Sequence, residues 1–281
     1  MNAFANKTAL VTGASAGLGA EFARQLAPQV GTLILTARRW DRLEALKTEL
    51  TAAHPGLVVH HYCGDLAQPD VPEAIVRWLG EQGVRVDILV NNAGLGDFGS
   101  FATSQWGKVR NMLMVNMVAL TELTHRLLPG MIERKEGTII NVSSTAGFLP
   151  IPDFAVYAAT KAYVCSFTEA LYTELSGTGV TVTALCPGPV PTEFGSVASR
   201  PDGGRRFNPA DFLKVSPEEV VKQTLCGAKK GRARVIPGWI IKVPILVVEA
   251  LPAPVLRTAW WGIEWTSGLS KTIFSSGSAG K

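Results

Sequence analysis

A chain of 281 residues with a formal net charge of +4 suits one α/β domain with a large core, and so small a charge does not call for a nucleic-acid partner. Four cysteines (63, 165, 186 and 226) stand far apart with no Cys-x-x-Cys pair, and the four histidines lack ligand spacing, which argues against a disulfide scaffold or a metal site. With no apolar leader before the first predicted strand, the expectation is a cytoplasmic protein with reduced thiols.

The first predicted strand is Lys7-Thr-Ala-Leu-Val-Thr12. The turn Gly13-Ala-Ser-Ala-Gly17-Leu-Gly19 follows, and residues 20–27 then show helical apolar spacing through Phe22, Ala23 and Leu26. Strand, glycine turn and helix are the setting of a phosphate-binding loop, because glycines admit a tight turn and a helix N-terminus offers free N–H groups. The spacing Gly-x-x-x-Gly-x-Gly is not the commoner Gly-x-Gly-x-x-Gly, and it lacks the Gly-Lys-Ser/Thr ending of a nucleotidase loop. An ordinary glycine-rich turn is the alternative in a chain with 28 glycines, and the flanking elements weigh against it.

Short apolar runs at 32–36, 57–62, 87–90, 138–142, 180–186 and 233–236 read as further strands, several of them buried on both faces. Helical stretches lie between them at about 40–53, 70–83, 104–134, 155–177 and 216–229, the last opened by the capping box Ser216-Pro-Glu-Glu219. The alternation predicts one α/β domain over 1–281: a Rossmann-type doubly wound fold, with a seven-stranded parallel sheet flanked by helices on both faces. His60 and His61, adjacent on a strand, are expected to face opposite ways. The basic stretch from Lys229 to Arg234 reads as a solvated loop, and the tail 275–281 as disordered.

Tyr157 and Lys161 are four residues apart on a predicted helix and so share a face, and Ser144 stands thirteen residues before the tyrosine. A free tyrosine has a pKa of roughly 10, and a neighbouring cation is expected to lower it. With a serine hydroxyl beside it, such a phenol can exchange a proton with a carbonyl or an alcohol. Alone, Tyr-x-x-x-Lys also occurs by chance on helix surfaces.

Taken together, Thr12-Gly-Ala-Ser-Ala-Gly-Leu-Gly19, Asn91-Asn-Ala-Gly94, Asn116, Ser144, Tyr157-x-x-x-Lys161 and Pro187-Gly188 resemble the classical short-chain dehydrogenase/reductase family, over about residues 5–240. The resemblance implies an NAD(P)-dependent oxidoreductase on a Rossmann fold. It makes Tyr157 the general acid/base and lets Lys161 tune the phenol and hold the nicotinamide ribose. Ser144 would bind the substrate oxygen, and Asn116 would support a water-linked proton path to the lysine. The implied cofactor set is Gly13, Ser15, Ala16, Gly17, Leu18 and Gly19 in the loop, then Asp65 and Leu66 near the adenine, and Asn92, Ala93 and Gly94 at the end of the fourth strand. Tyr157, Lys161, Pro187, Gly188, Val190 and Thr192 complete it around the nicotinamide.

The second predicted strand ends in Ala37-Arg38-Arg39, with alanine where the family's aspartate would stand. A carboxylate would repel a 2′-phosphate and a guanidinium binds it, so NADP(H) is expected over NAD(H), with Arg38 as the main contact and Arg39 as a second. Ala16 stands where some NADP users carry a basic residue.

Ala146, Phe148, Leu149, Ile151, Pro152 and Phe154, with Leu95, Phe98 and Phe194, suggest a cleft for a hydrophobic ketone, aldehyde or secondary alcohol. Core packing is the plainer reading for half of them. Segment 193–215 reads as a substrate lid, with solvated arginines. The apolar extension 237–270 departs from the usual family ending; covering the cleft ranks first for it, a subunit interface second and a membrane surface third. A homo-oligomer, dimer or tetramer, is expected. An NADP(H)-binding redox sensor without turnover is the alternative from another class, and a membrane-associated lipid or steroid enzyme a weaker third reading.

Overall fold

Seven parallel strands run in the order β3-β2-β1-β4-β5-β6-β7 in the computed structural model, which describes residues 4–200 and 213–251. They are β1 (Thr8–Thr12), β2 (Thr32–Ala37), β3 (Val58–Cys63), β4 (Ile88–Asn91), β5 (Gly137–Val142), β6 (Val180–Leu185) and β7 (Arg234–Val235). Every pairing is parallel, as the helical crossovers require. The winding reverses between β1 and β4, and open sheets of this kind bind ligands at such a switch point.

The period-two alternation of strand side chains divides the core. Val11, Leu33, Leu35, Val90 and Ile140 face one side, where they meet Phe22 and Leu26 of α1 (Gly17–Leu26), Leu43 and Leu46 of α2 (Trp40–Ala53) and Val220 of α8 (Pro217–Lys229). Leu10, Ile34, Leu89 and Ile139 face the other, against Ile75 of α3 (Val71–Glu81), Leu123 of α5 (Leu120–Glu133) and Leu171 of α6 (Ala155–Glu174). Burying each such aliphatic side chain contributes about 2 kcal/mol, so the sheet is held from both faces and its strand ends are fixed relative to one another. His60 packs edge-on to Trp78 of α3 and His61 to Trp40 of α2, on opposite sides as expected. The Ser216 hydroxyl accepts from the Glu219 N–H and caps α8.

The expected helix over 104–134 is not continuous. A 3-10 turn at Phe101–Thr103 precedes α4 (Trp106–Leu113), and a π-helical turn at Met114–Ala119 joins α4 to α5. The wide turn contains Asn116, whose amide is taken up by the neighbouring loop as described below. The basic stretch is also not wholly solvated: Arg234 pairs with Glu169 and Glu249, and its guanidinium lies 4.8 Å over the Phe148 ring.

Of the predicted lid, the short helix α7 (Phe194–Ala198) is described, and 201–212 lie outside the described residues, as do 252–270 of the extension and the tail 275–281. The extension begins as α9 (Trp239–Ala250). Ile241 and Ile245 are buried among Cys165, Cys186 and Ile236, and Ile241 abuts Gly188 from behind, so α9 supports the cleft wall rather than lining the cleft. Trp239, Val243, Leu246 and Val247 point outward. Among the described residues no helix is long and apolar enough to cross a membrane.

Candidate active site

A cleft of about 630 Å³ opens at the switch point, in the range of roughly 300–1,000 Å³ usual for ligand sites. Gly13 leaves β1 at φ +66° and permits the tight turn that L side chains resist. A Cβ on Gly13 would lie 2.9 Å from the Ala93 Cα, and one on Gly19 would lie 2.2 Å from the Gly13 carbonyl oxygen, so the turn can pack on α1 only with glycine at both places. The N-cap of α1, Ala16, supplies no side-chain cap, and Ala16, Gly17 and Leu18 line the cleft, so the first turn of the helix can serve an anion. The Thr12 hydroxyl accepts from the N–H groups of Asn92 (3.0 Å) and Ala93 (2.9 Å) and ties the two strand ends at the switch point. Thr12 opens the glycine motif, and this second role has no local signal in the sequence, because it needs the β1–β4 pairing.

The remaining predicted residues gather around the same space. Ser15, Arg38, Arg39, Asp65 and Leu66 line one end; Asn92, Ala93 and Gly94 the middle; Ser144, Tyr157, Lys161, Pro187, Gly188, Val190 and Thr192 the other end. Gly19 and Asn116 do not line the cleft. Gly19 stands behind the loop. Asn116 is buried, with Oδ1 accepting from the Leu95 N–H (2.8 Å) and Nδ2 donating to the Leu95 carbonyl (3.0 Å) and the Thr160 hydroxyl (3.0 Å). Its amide is thus occupied in pinning the loop after β4.

At the putting-together of charges near β2, Arg38 is exposed and lies 4.0 Å from Asp65, while Arg39 bonds the Ser15 hydroxyl and pairs with Glu193 at 3.0 Å. Arg42 also holds Glu193, and the two guanidiniums keep that carboxyl below its usual range. Glu193 was missed in the sequence, since its partners lie about 150 residues away. The pairing leaves Arg38 as the more available of the two cations that the sequence singled out.

The reactive end differs electrostatically from expectation. Burial pushes the Tyr157 phenol up to about 12, and the nearby Ser144 hydroxyl offsets only part of this. Burial also pulls Lys161 down to about 8, countered in part by the thiols of Cys165 and Cys186. The expected lowering of the phenol by the ammonium is absent: Lys161 Nζ donates to the Val142 carbonyl at 2.8 Å and lies 5.6 Å from the centroid of the Tyr157 ring. Desolvation outweighs a cation that is directed elsewhere. Ser144 accepts from the Ala146 N–H and faces the cleft, whereas the neighbouring Ser143 is buried, donating to the Lys161 carbonyl at 2.7 Å. Ser143 also meets Cys165, whose Sγ lies 3.5 Å from Cys186 Sγ, so two of the thiols that looked unrelated in the sequence form a buried pair behind the lysine.

Aromatic and aliphatic side chains enclose the tyrosine. The Phe154 ring stacks on Tyr157 with centroids 4.2 Å apart, Phe194 lies 5.3 Å away, and Leu95, Leu149 and Ile151 complete an apolar wall. Among the described residues no cluster of three metal-ligating side chains occurs.

The short chain dehydrogenase family matches residues 7–202. The chain is 43% identical over 189 residues to a sulfoacetaldehyde reductase of Chromohalobacter salexigens, covering 66% of this chain and 72% of that one. It is 38% identical over 225 residues to an NADP-dependent 3-hydroxy acid dehydrogenase of Escherichia coli K12, covering 75% and 84%. Among solved structures, a short-chain dehydrogenase from Sphingobium yanoikuyae in complex with NADPH superposes with a TM-score of 0.76 at 29% identity, covering 97% of this chain and 98% of that one. A bulky-bulky ketone specific alcohol dehydrogenase from Comamonas testosteroni gives 0.71 at 26%, covering 97% of each.

Proposed function

The chain belongs to the short-chain dehydrogenase family and is an oxidoreductase acting on hydroxyl and carbonyl groups with a nicotinamide cofactor; from that premise we propose that it uses NADP(H) in preference to NAD(H) and interconverts a hydrophobic ketone or aldehyde with its alcohol. The observation that carries the reading is the gathering of Ser144, Tyr157 and Lys161 at one end of a cleft whose far end holds Arg38.

In this proposal the glycine turn and the first turn of α1 hold the pyrophosphate, and Arg38 binds the 2′-phosphate. When bound, the nicotinamide supplies or takes up the hydride. Tyr157 donates its proton to the carbonyl oxygen in reduction and recovers it from the alcohol in oxidation. Ser144 donates to the same substrate oxygen and fixes its distance from the phenol. Reduction suits the site as it stands, because a phenol near 12 is fully protonated at neutral pH. Oxidation needs the phenolate, and Lys161, charged below about 8, is the one described cation close enough to favour it.

The apolar surround of Leu95, Ile151, Phe154 and Phe194 supports a neutral, bulky substrate, as does the ketone specificity of the Comamonas testosteroni neighbour. The four free thiols fit a reducing compartment, and the outward apolar face of α9 fits a subunit contact, so the proposal includes a cytoplasmic homo-oligomer of one domain per chain.

The test is oxidation of NADPH with a panel of aryl and alkyl ketones, run with the native protein and with Tyr157→Phe. Turnover that disappears in the variant while NADPH still binds is expected. NADPH binding with no turnover on any carbonyl, and no effect of the substitution, would sink the enzyme reading in favour of a sensor.

A further inference from the structure

The helix α7 presents Phe194 to Tyr157, yet it is only five residues long. A helix of one turn has little stability of its own. The strip Gly96–Gly99 holds it. Phe98 N–H donates to the Ala198 carbonyl at 2.8 Å, and Phe98 forms an isolated parallel bridge with Ser199. Arg200, immediately after, closes on Asp97 with both prongs: Nε to Oδ1 at 2.9 Å and Nη2 to Oδ2 at 2.7 Å. Both side chains are buried, at 8% and 4% exposure. The guanidinium further donates to the Ser100 carbonyl and the Thr103 hydroxyl, each at 3.0 Å.

Two glycines make this close approach feasible. A Cβ on Gly96 would lie 2.7 Å from Phe194 Cζ, and one on Gly99 would lie 2.9 Å from Arg200 Cζ. The same strip grips the opposite wall of the cleft, since Gly99 N–H donates to the Asp153 carbonyl at 2.8 Å and the Phe98 ring packs edge-on to Phe154 at 5.5 Å. Phe154 and Phe194 flank Tyr157, so the strip sets their separation, and the buried ion pair sets how firmly α7 sits on the strip.

We propose that Asp97 and Arg200 are a positioning pair that determines substrate specificity by fixing the distance between Phe194 and Phe154 on either side of Tyr157. The proposal rests on the reading of the cleft as a site for hydrophobic ketones. A bidentate pair fixes direction as well as distance, which a hydrophobic contact does not. Removal of either partner takes away both bonds of the fork, so either single change should loosen the wall, and the double change should loosen it no more than the worse single one, because all three remove the same contact.

The experiment compares Asp97→Asn, Arg200→Gln and the double variant with acetophenone and valerophenone as short and long probes, together with NADPH affinity and amide hydrogen exchange at Phe98. Each single variant is expected to raise KM for valerophenone about tenfold and to leave kcat and NADPH affinity within about threefold, and the double variant to be no worse than the worse single one. Unchanged KM in variants that bind NADPH, or single-variant effects that multiply in the double variant, overturns the proposal. If the single variants do not fold, Thr103→Val removes only one exposed partner of Arg200; a rise of about twofold to threefold in KM for valerophenone supports the clamp and no rise overturns it. If the native protein reduces no ketone, the functional reading fails by itself, and exchange at Phe98 decides the clamp: faster in Thr103→Val supports it, unchanged overturns it.

Discussion

The Lys161 ammonium lies 5.6 Å from the centroid of the Tyr157 ring and gives its hydrogen bond to the Val142 carbonyl at 2.8 Å. Both groups are buried, and burial moves them in opposite directions, the phenol up to about 12 and the amine down to about 8. Each is pushed toward its neutral form, as expected where charge is desolvated without a close partner. The fold therefore holds the charged form of Lys161 under electrostatic tension.

That tension should appear in stability. Lys161 has a folded pKa below its unfolded value of 10.5, so between about 8 and 10.5 the unfolded chain binds more protons and stability rises with pH. A shift of this size corresponds to about 3 kcal/mol. Lys161→Met removes the dependence but also leaves the Val142 carbonyl unpaired, which costs about 1 kcal/mol. Urea unfolding without cofactor should show the variant about 2 kcal/mol more stable at pH 7, with the advantage shrinking by pH 10. A constant difference across that range would contradict the shift. Tyr157 acts in the opposite sense: its raised pKa contributes stability that is complete below 10 and is lost as pH rises toward 12.

Turnover should carry the same signature. In reduction the phenol stays protonated across neutral pH, so a fall in kcat/KM above about pH 8 would report the loss of charge on Lys161. Lys161→Arg keeps a cation at all accessible pH and should move that limb upward, even if the rate itself is lower. A limb that stays near 8 in the arginine variant would assign it to another group.

Cofactor choice is tested at Arg38. Its partner Asp65 is 4.0 Å away, whereas Arg39 is engaged by Glu193 and Ser15. Charge-assisted bonds to a phosphate are worth about 1.5–3 kcal/mol, so Arg38→Asp should weaken NADPH binding by roughly tenfold to a hundredfold and leave NADH little changed. Equal loss for both cofactors would show general disruption of the loop instead.

The alternation of apolar runs and helical stretches was sufficient to foresee the seven parallel strands, because strands buried on both faces carry a dense Val, Ile and Leu signal. The glycine turn, Asn92–Gly94 and Pro187–Gly188 were also legible, being contiguous motifs at strand ends, and the structure brings them to one cleft. What escaped were contacts between distant positions. Asp97 and Arg200 are 103 residues apart, Glu193 and Arg42 are 151, and Cys165 meets Cys186 only because α6 packs on β6. The interruption of the 104–134 helix also escaped, since a π-helical turn adds a residue without disturbing apolar spacing visibly. The sign of the Tyr157 shift depends on how far the ring is desolvated, and i,i+4 spacing gives only proximity.

Ser143 and Ser144 offer the sharpest local contrast, two adjacent hydroxyls with opposite fates. Strand β5 ends at Val142, and although both serines line the cleft, the Ser143 hydroxyl turns inward to the Lys161 carbonyl and Cys165. Ser143 donates to the Lys161 carbonyl and touches Cys165, so Ser143→Ala should cost about 1–2 kcal/mol of stability in urea and alter turnover little beyond that. Ser144 lines the cleft near Tyr157 and accepts from the Ala146 N–H, so Ser144→Ala should lower kcat/KM by about a hundredfold or more and cost about 1 kcal/mol of stability at most. The reverse pattern, with catalysis lost at 143 and stability lost at 144, would mean that the substrate oxygen approaches from the other side of the turn, and the proton route through Tyr157 would have to be redrawn.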